Sequence, residues 1–224
     1  FKHTVYGLRS MLKSEGLPYV FLQLPSIKHE KTLPTVLSKE EVWRLLKSCQ
    51  LLKHKILIGL LYGCGLRCGE VGAVRLQDLD YDRLQLKVEQ RKNKKDRYVP
   101  LSEHLIRGLK TYIEAEKPKT YLFNGQPVGR AGGDFDSRYS ARGVQWAVKQ
   151  ACKSAGITKD VCVHTLRHTY ATHLLEDGLD IITLKNLLGH EDIETTMGYL
   201  QIAQLDTQKA FSPLDTLFEK CSSK

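Results

Sequence analysis

The sequence predicts a mainly α-helical domain with a small antiparallel β-sheet (α+β), on three observations. Apolar residues recur at i, i+3, i+4 and i+7 in one stretch after another. A period of two occurs only between residues 84 and 101. Glycine or proline closes most of the helical stretches. The 224 residues are 42% hydrophobic and 26% charged, a balance that excludes wholesale disorder. A chain of this length buries a core without needing disulfides.

Val5, Leu8, Met11 and Leu12 keep helical spacing, and Gly16-Leu17-Pro18 stops that helix. Pro18, Pro25 and Pro34, with the charged Lys28-His29-Glu30-Lys31, predict an extended linker over 18–36. A lone helix cannot bury its own apolar face, so residues 1–35 are expected to be the end of a domain lying upstream. The main domain is expected over 36–202. Ser38 and Glu41 form a capping box ahead of Val42, Leu45, Leu46 and Cys49. Ile56 to Tyr62 is apolar all round, which makes that helix central, with Gly63 and Gly65 ending it. A short helix then runs from near Arg67 toward Val74.

Leu84, Leu86 and Val88 alternate with polar residues, and Arg97 to Leu101 resumes an extended pattern, with Arg91 to Asp96 as the hairpin tip between them. Ser102 caps a helix carrying Leu105, Ile106, Leu109, Tyr112 and Ile113 on one face; Tyr121-Leu122-Phe123 is a candidate third strand. Residues 124–140 form a long loop. Three helices close the domain: one through Val144 to Cys152, one through Leu166 to Leu175, and Ile181 to Leu188, capped by Asp180 and ended by Gly189. Residues 203–224 form a tail in which Phe211, Leu214 and Phe218 keep helical spacing, fit to dock on a neighbour or on the same chain.

Lys+Arg 34 against Asp+Glu 25 leaves a formal charge of +9, which points to a polyanionic partner without distinguishing DNA, RNA and an anionic membrane. The longest uncharged apolar run, Ile56 to Leu66, is 11 residues, whereas a membrane span needs about 20. The expected setting is therefore cytoplasmic, without a membrane. Cys49, Cys64, Cys68, Cys152, Cys162 and Cys221 form no CxxC pair and read as free thiols.

Four polar clusters stand where packing does not demand them: Arg67 after Gly63-Cys64-Gly65-Leu66, a hairpin with seven basic residues against two acidic ones, His164-Thr165-Leu166-Arg167-His168, and His190 followed by Tyr199. Each has a bland reading. Arg67 can pair with Glu70 at i+3 on a surface, a basic hairpin tip can be merely solvated, and His168 reads best as a satisfied structural histidine. His164 and His168 lack the Glu that a zincin helix requires directly after its first His. Together they fit another chemistry. A phosphodiester under attack spreads negative charge over oxygens that guanidinium forks match. A phenol with a pKa near 10 needs cations or a base to attack at neutral pH. The leaving oxygen needs a proton, which a hairpin lysine can deliver.

Gly65-Leu66-Arg67-Cys68-Gly69-Glu70, Lys92 to Leu101, His164 to His168, and Leu187-Leu188-Gly189-His190 with Thr195 to Tyr199 follow one another in an order that resembles the tyrosine recombinases, or phage integrases. The resemblance implies that Tyr199 attacks the scissile phosphate to leave a 3′-phosphotyrosyl bond and a free 5′ hydroxyl. It implies that Arg67 and Arg167 clamp the phosphate, that His190 donates a hydrogen bond to it, that His164 assists proton transfer, and that Lys92 is the general acid. Lys94 rivals Lys92, because Arg91-Lys92-Asn93 stands where the family often has Gly-Lys-Gly. Gln201 stands where the family often has His, and Gly198 loosens the Tyr199 segment. No metal and no other cofactor is implied.

Double-stranded DNA is the implied partner, with Arg91, Lys94, Lys95, Arg97, Arg130, Arg138 and Arg142 as expected phosphate contacts. The implied assembly is a monomer without DNA and a homo-tetramer on two synapsed sites. A bacterial, nucleoid-associated location and an origin in a mobile element are further expectations, the latter from the tail. The rivals are a type IB topoisomerase with the same chemistry, a non-catalytic DNA-binding regulator, and a metal-dependent nuclease, which EDTA would stop.

Overall fold

The structure, a computed structural model, describes residues 2–17, 34–89, 96–125 and 138–203. It divides into two compact units, 1–33 and 34–224. Within the first unit, α1 (Lys2–Ser14) is a single amphipathic helix.

The second unit opens with α2 (Lys39–Ser48), whose start is the capping box expected from sequence: the Glu41 amide donates to Ser38 Oγ at 3.1 Å, and the Ser38 amide donates to Glu41 Oε2 at 2.7 Å. Helix α3 (Leu52–Gly63) buries Ile56, Leu57, Ile58, Leu60 and Leu61. A helix apolar on every side is stable only when surrounded, and α3 packs against α2, α5 (Glu103–Glu116), α6 (Ala141–Ser154) and α7 (Val163–Glu176). After α3 the chain turns through Gly65 at φ +60 into α4 (Cys68–Val71), with Arg67 at its N-cap. A Cβ at Gly65 would collide with the Tyr170 ring, so both the backbone angle and the close approach require glycine.

The sheet has three antiparallel strands in the order β1 (Leu79–Asp80), β2 (Gln85–Val88), β3 (Arg97–Pro100). Leu86 pairs with Val99 and Val88 with Arg97; these four side chains are the buried face. The third strand is therefore Leu79–Asp80. Tyr121 instead makes an isolated bridge to Arg75, and the Leu122 and Phe123 side chains after it are both fully buried.

Helix α7 is buried along most of its length. The incoming segment docks on it: the Leu37 amide donates to Thr169 Oγ1 at 3.1 Å, and His173 bridges the Leu37 carbonyl and the Tyr62 hydroxyl, each at 3.0 Å. Asp180 caps α8 (Ile181–Leu188) with bonds from the Ile182 and Thr183 amides, and Gly189 ends it in the left-handed conformation at φ 62. A short α9 (Ile193–Met197) leads into a 3₁₀ turn, Gly198–Gln201, that carries Tyr199. A second apolar cluster of Tyr170, Ala171, Leu175, Leu184, Leu188 and Tyr199 ties this end to α7 and α8.

Candidate active site

The last carbonyls of a helix have no intrahelical donor and sit at the negative end of its dipole. At the end of α8 three successive carbonyls each receive a different arginine. Arg97 Nε donates to Leu187 O at 2.8 Å, Arg167 Nη2 to Leu188 O at 2.6 Å, and Arg67 Nη2 to Gly189 O at 3.1 Å. Arg167 also donates to the Gly65 carbonyl at 2.6 Å. The α3–α4 turn and the end of α8 are thus fastened to α7 by one guanidinium.

Glu70 gathers two of these cations. Both its oxygens accept from Arg97, at 2.9 and 2.8 Å, while Oε1 also accepts from Arg67 Nη1 at 2.8 Å. Burial would raise the Glu70 carboxyl, but the hydrogen bonds and charge of Arg97, then of Arg67, outweigh it and hold the pKa at about 2. Three guanidinium charges against one carboxylate leave the cluster at +3 − 1 = +2. Arg167 is 2% exposed. Burial, with the neighbouring Arg67, depresses its pKa to about 10, so it is still charged at neutral pH. The Arg67 side chain, at 32% exposure, is the one that opens to solvent.

Two histidines adjoin this cluster as neutral rings. Burial, reinforced by Arg167, lowers His190 to about 4. Its Nε2 lies 3.1 Å from Arg167 Nη2 and its Nδ1 lies 2.9 Å from Thr196 Oγ1. Arginine can only donate, so Nε2 accepts, and the ring proton sits on Nδ1 and is given to Thr196. Burial, with His164 beside it, lowers His168 to about 4.

Tyr199 is 5% exposed, stacks on His190 with ring centroids 6.4 Å apart, and places its hydroxyl 3.0 Å from His168 Nδ1. Burial raises its pKa, and the charges of Arg167 and Arg67 pull against that rise. His164 lies on the exposed side of α7, edge-on to His168 with centroids 5.5 Å apart. Burial, then Arg167, lowers its pKa.

Two guanidiniums, neutral imidazoles and a phenol around one cationic cluster are the equipment for an anionic phosphodiester and an oxygen nucleophile. The phage integrase family matches residues 35–205. The chain belongs to that family.

Tyrosine recombinase XerA of Pyrococcus horikoshii is 32% identical over 207 residues, covering 92% of this chain and 70% of its own. A crystal structure of XerA recombinase superposes with a TM-score of 0.67 at 26% identity, covering 91% of this chain and 70% of that one. XerH site-specific recombinase, bound to palindromic difH substrate in a post-cleavage complex, shares the fold at a TM-score of 0.67 and 21% identity, over 77% of this chain and 51% of that one. The chain spans 64% of the length of a 38% identical relative from Sinorhizobium fredii.

In this integrase-family chain Arg67, Arg167, His190 and Tyr199 meet in one site, with His164 at its edge. Lys92, its rival Lys94, Arg91, Lys95 and Arg130 lie outside the described residues, as does the tail beyond residue 203. Arg138 and Arg142 are exposed. Arg97 corrects the sequence reading. Expected among the phosphate contacts, it is 8% exposed and bound to Glu70 and Leu187. The strand register puts it on the Val99 face, so it points inward. His168, read from sequence as a satisfied structural histidine, has Tyr199 as its hydrogen-bond partner. Among the described residues no helix is long and apolar enough to cross a membrane.

Proposed function

We propose that this chain is the catalytic part of a site-specific DNA recombinase, with residues 36–202 carrying the chemistry. The supporting observation is that Tyr199, a buried phenol facing a histidine and two guanidiniums, shares its site with Arg67, Arg167 and His190. Tyr199 attacks a DNA phosphate, forming a 3′-phosphotyrosyl bond and releasing the 5′ oxygen; a 5′ hydroxyl reverses the step to rejoin strands. The bond energy is kept in the covalent intermediate, so neither a metal nor a nucleotide is required.

Arg67 reaches the phosphate from the open side, and Arg167 supplies buried charge beneath it. His190 donates to the phosphate from Nε2, which holds no proton while it accepts from Arg167. An incoming anion favours the imidazolium, and the doubly protonated ring then donates from Nδ1 to Thr196 and from Nε2 to the phosphate. His164 assists proton transfer from the rim, and Lys92 is the general acid, a role that rests on the resemblance. Double-stranded DNA is the substrate, synapsed in a homo-tetramer, and a cytoplasmic, nucleoid-associated setting follows from that substrate. XerH on its difH DNA has the same fold and lends support.

The test uses a pool of nicked duplexes of randomised sequence, incubated with the protein and washed in denaturant to retain only covalently held DNA. The expected outcome is an adduct that resists denaturation, persists in EDTA and is lost in Tyr199→Phe. An adduct that needs a divalent metal, or one that survives Tyr199→Phe, overturns the reading.

A further inference from the structure

The phenol proton of Tyr199 has to leave as the oxygen bonds to phosphorus, and among the described residues one side chain, His168, lies at hydrogen-bond distance from that oxygen. The charges of Arg167 and Arg67 bear on the Tyr199 phenol and pull against the rise that burial imposes on its pKa, which favours departure of that proton. His168 Nδ1 lies 3.0 Å from Tyr199 Oη, within reach of its hydrogen. His168 stands one residue beyond Arg167 and one helical turn beyond His164. Its ring sits against the tyrosine, whereas the His164 ring sits toward solvent. No hydrogen bond joins His164 to Tyr199 among the described residues. With its hydrogen given to His168 in the tautomer that leaves Nδ1 bare, the oxygen keeps its lone pairs for attack.

We infer that His168 is a catalytic residue of the strand-cleavage step, accepting the Tyr199 hydroxyl proton on Nδ1. As the Oη–P bond forms, the Oη–H bond breaks and its electron pair stays on oxygen. The proton moves to Nδ1, and the P–O5′ bond breaks with its pair on the 5′ oxygen, which takes a proton from the separate general acid. On rejoining, the imidazolium returns its proton to Oη. The groups facing His168 are His164 and Arg167 from its own helix and Tyr199 and His190 from the C-terminal segment. The first two hold its basicity down; a phosphodiester bound beside Arg167 adds the negative charge that raises it toward neutrality at the moment it is needed. The inference rests on the recombinase reading, and it gives the proton a different destination from His164.

The DNA captured from the randomised pool serves as substrate for single-turnover adduct formation. His168→Asn puts an amide oxygen where Nδ1 stood, so it keeps a hydrogen-bond acceptor and loses a proton acceptor; His168→Ala loses both. Both are expected to slow adduct formation by roughly 10²–10⁴-fold. The deficit should persist on DNA whose bridging 5′ oxygen is replaced by sulfur, since that leaving group needs no acid. Asn at the unsubstituted rate, or a deficit erased by sulfur, overturns the assignment. A DNA-free arm separates the two readings. In the ¹⁵N spectrum of the folded protein the His168 Nδ1 should resonate as an unprotonated imidazole nitrogen and shift in Tyr199→Phe. A protonated Nδ1 overturns the His168 role whatever the DNA result, whereas no adduct from the unsubstituted protein, with Nδ1 as expected, overturns the recombinase reading and the cleavage role with it.

Discussion

Glu70, His168 and His190 are each held in one protonation state by their surroundings, and all three respond to acid in the same direction. Glu70 is buried yet held at about 2 by Arg97 and Arg67, below an ordinary 4.5. Its contribution to stability is present above pH 4.5 and is lost as pH falls toward 2. The two histidines are lowered by burial from 6.5 to about 4. The unfolded chain therefore takes up protons between pH 6.5 and 4 that the fold refuses, and stability falls through that window as well. The melting temperature followed by circular dichroism should drop from pH 7 to pH 4 across the histidine window, and further toward pH 2 across the Glu70 window. A melting temperature unchanged across that range would contradict the burial of these rings. Glu70→Gln leaves Arg97 buried without its carboxylate and should cost about 3 kcal/mol at neutral pH. In sequence, Glu70 was visible only as an i+3 neighbour of Arg67. Its larger partner Arg97 was invisible as such, because a basic residue closing a basic hairpin looks solvated until the register assigns its face. His168 was hidden for a related reason: helical spacing shows which residues share a face but not what stands opposite them.

Two short connections, not the long helices, bring the reacting groups together. The turn between α3 and α4 aims the Gly65 carbonyl at Arg167 and starts the helix that presents Arg67 and Glu70. The end of α8 offers three carbonyls to three arginines. Gly65→Ala would force a left-handed alanine against the Tyr170 ring and should cost roughly 2–4 kcal/mol. Gly69→Ala, four residues on, meets nothing within 4 Å inside α4 and should be neutral or slightly stabilising. Denaturant unfolding of the pair would show it, and equal losses would rule out the packing argument. Helix boundaries were legible because caps and glycine stops are local signals: Ser38 with Glu41, Ser102, Asp180 and Gly189 all act where the sequence indicated. Leu79–Asp80 is too short to show a period, and the 3₁₀ turn at Tyr199 is set by packing on α7 and α8, which no local pattern records.

The formal charge of +9 acts at the scale of the molecule, and the structure sorts which basic residues contribute to it at a surface. Arg97, its charge spent on Glu70, is withdrawn from that surface, whereas Arg138 and Arg142 stand exposed near the start of α6. Each phosphate neutralised releases condensed counterions, so log K falls with log salt at a slope of about −0.9 per contact. If Arg138 and Arg142 each meet a phosphate, the double substitution to alanine should weaken binding to any duplex about equally and flatten the salt slope by about 2 units. Melting temperature should stay unchanged, because neither side chain is buried. Arg97→Ala should do the reverse: it removes the anchor of Glu70, so stability falls while the number of phosphate contacts stays the same. Fluorescence anisotropy with a labelled duplex across a salt series separates the two effects. A slope that flattens in Arg97→Ala and not in the double variant would place the DNA on the other side of the sheet.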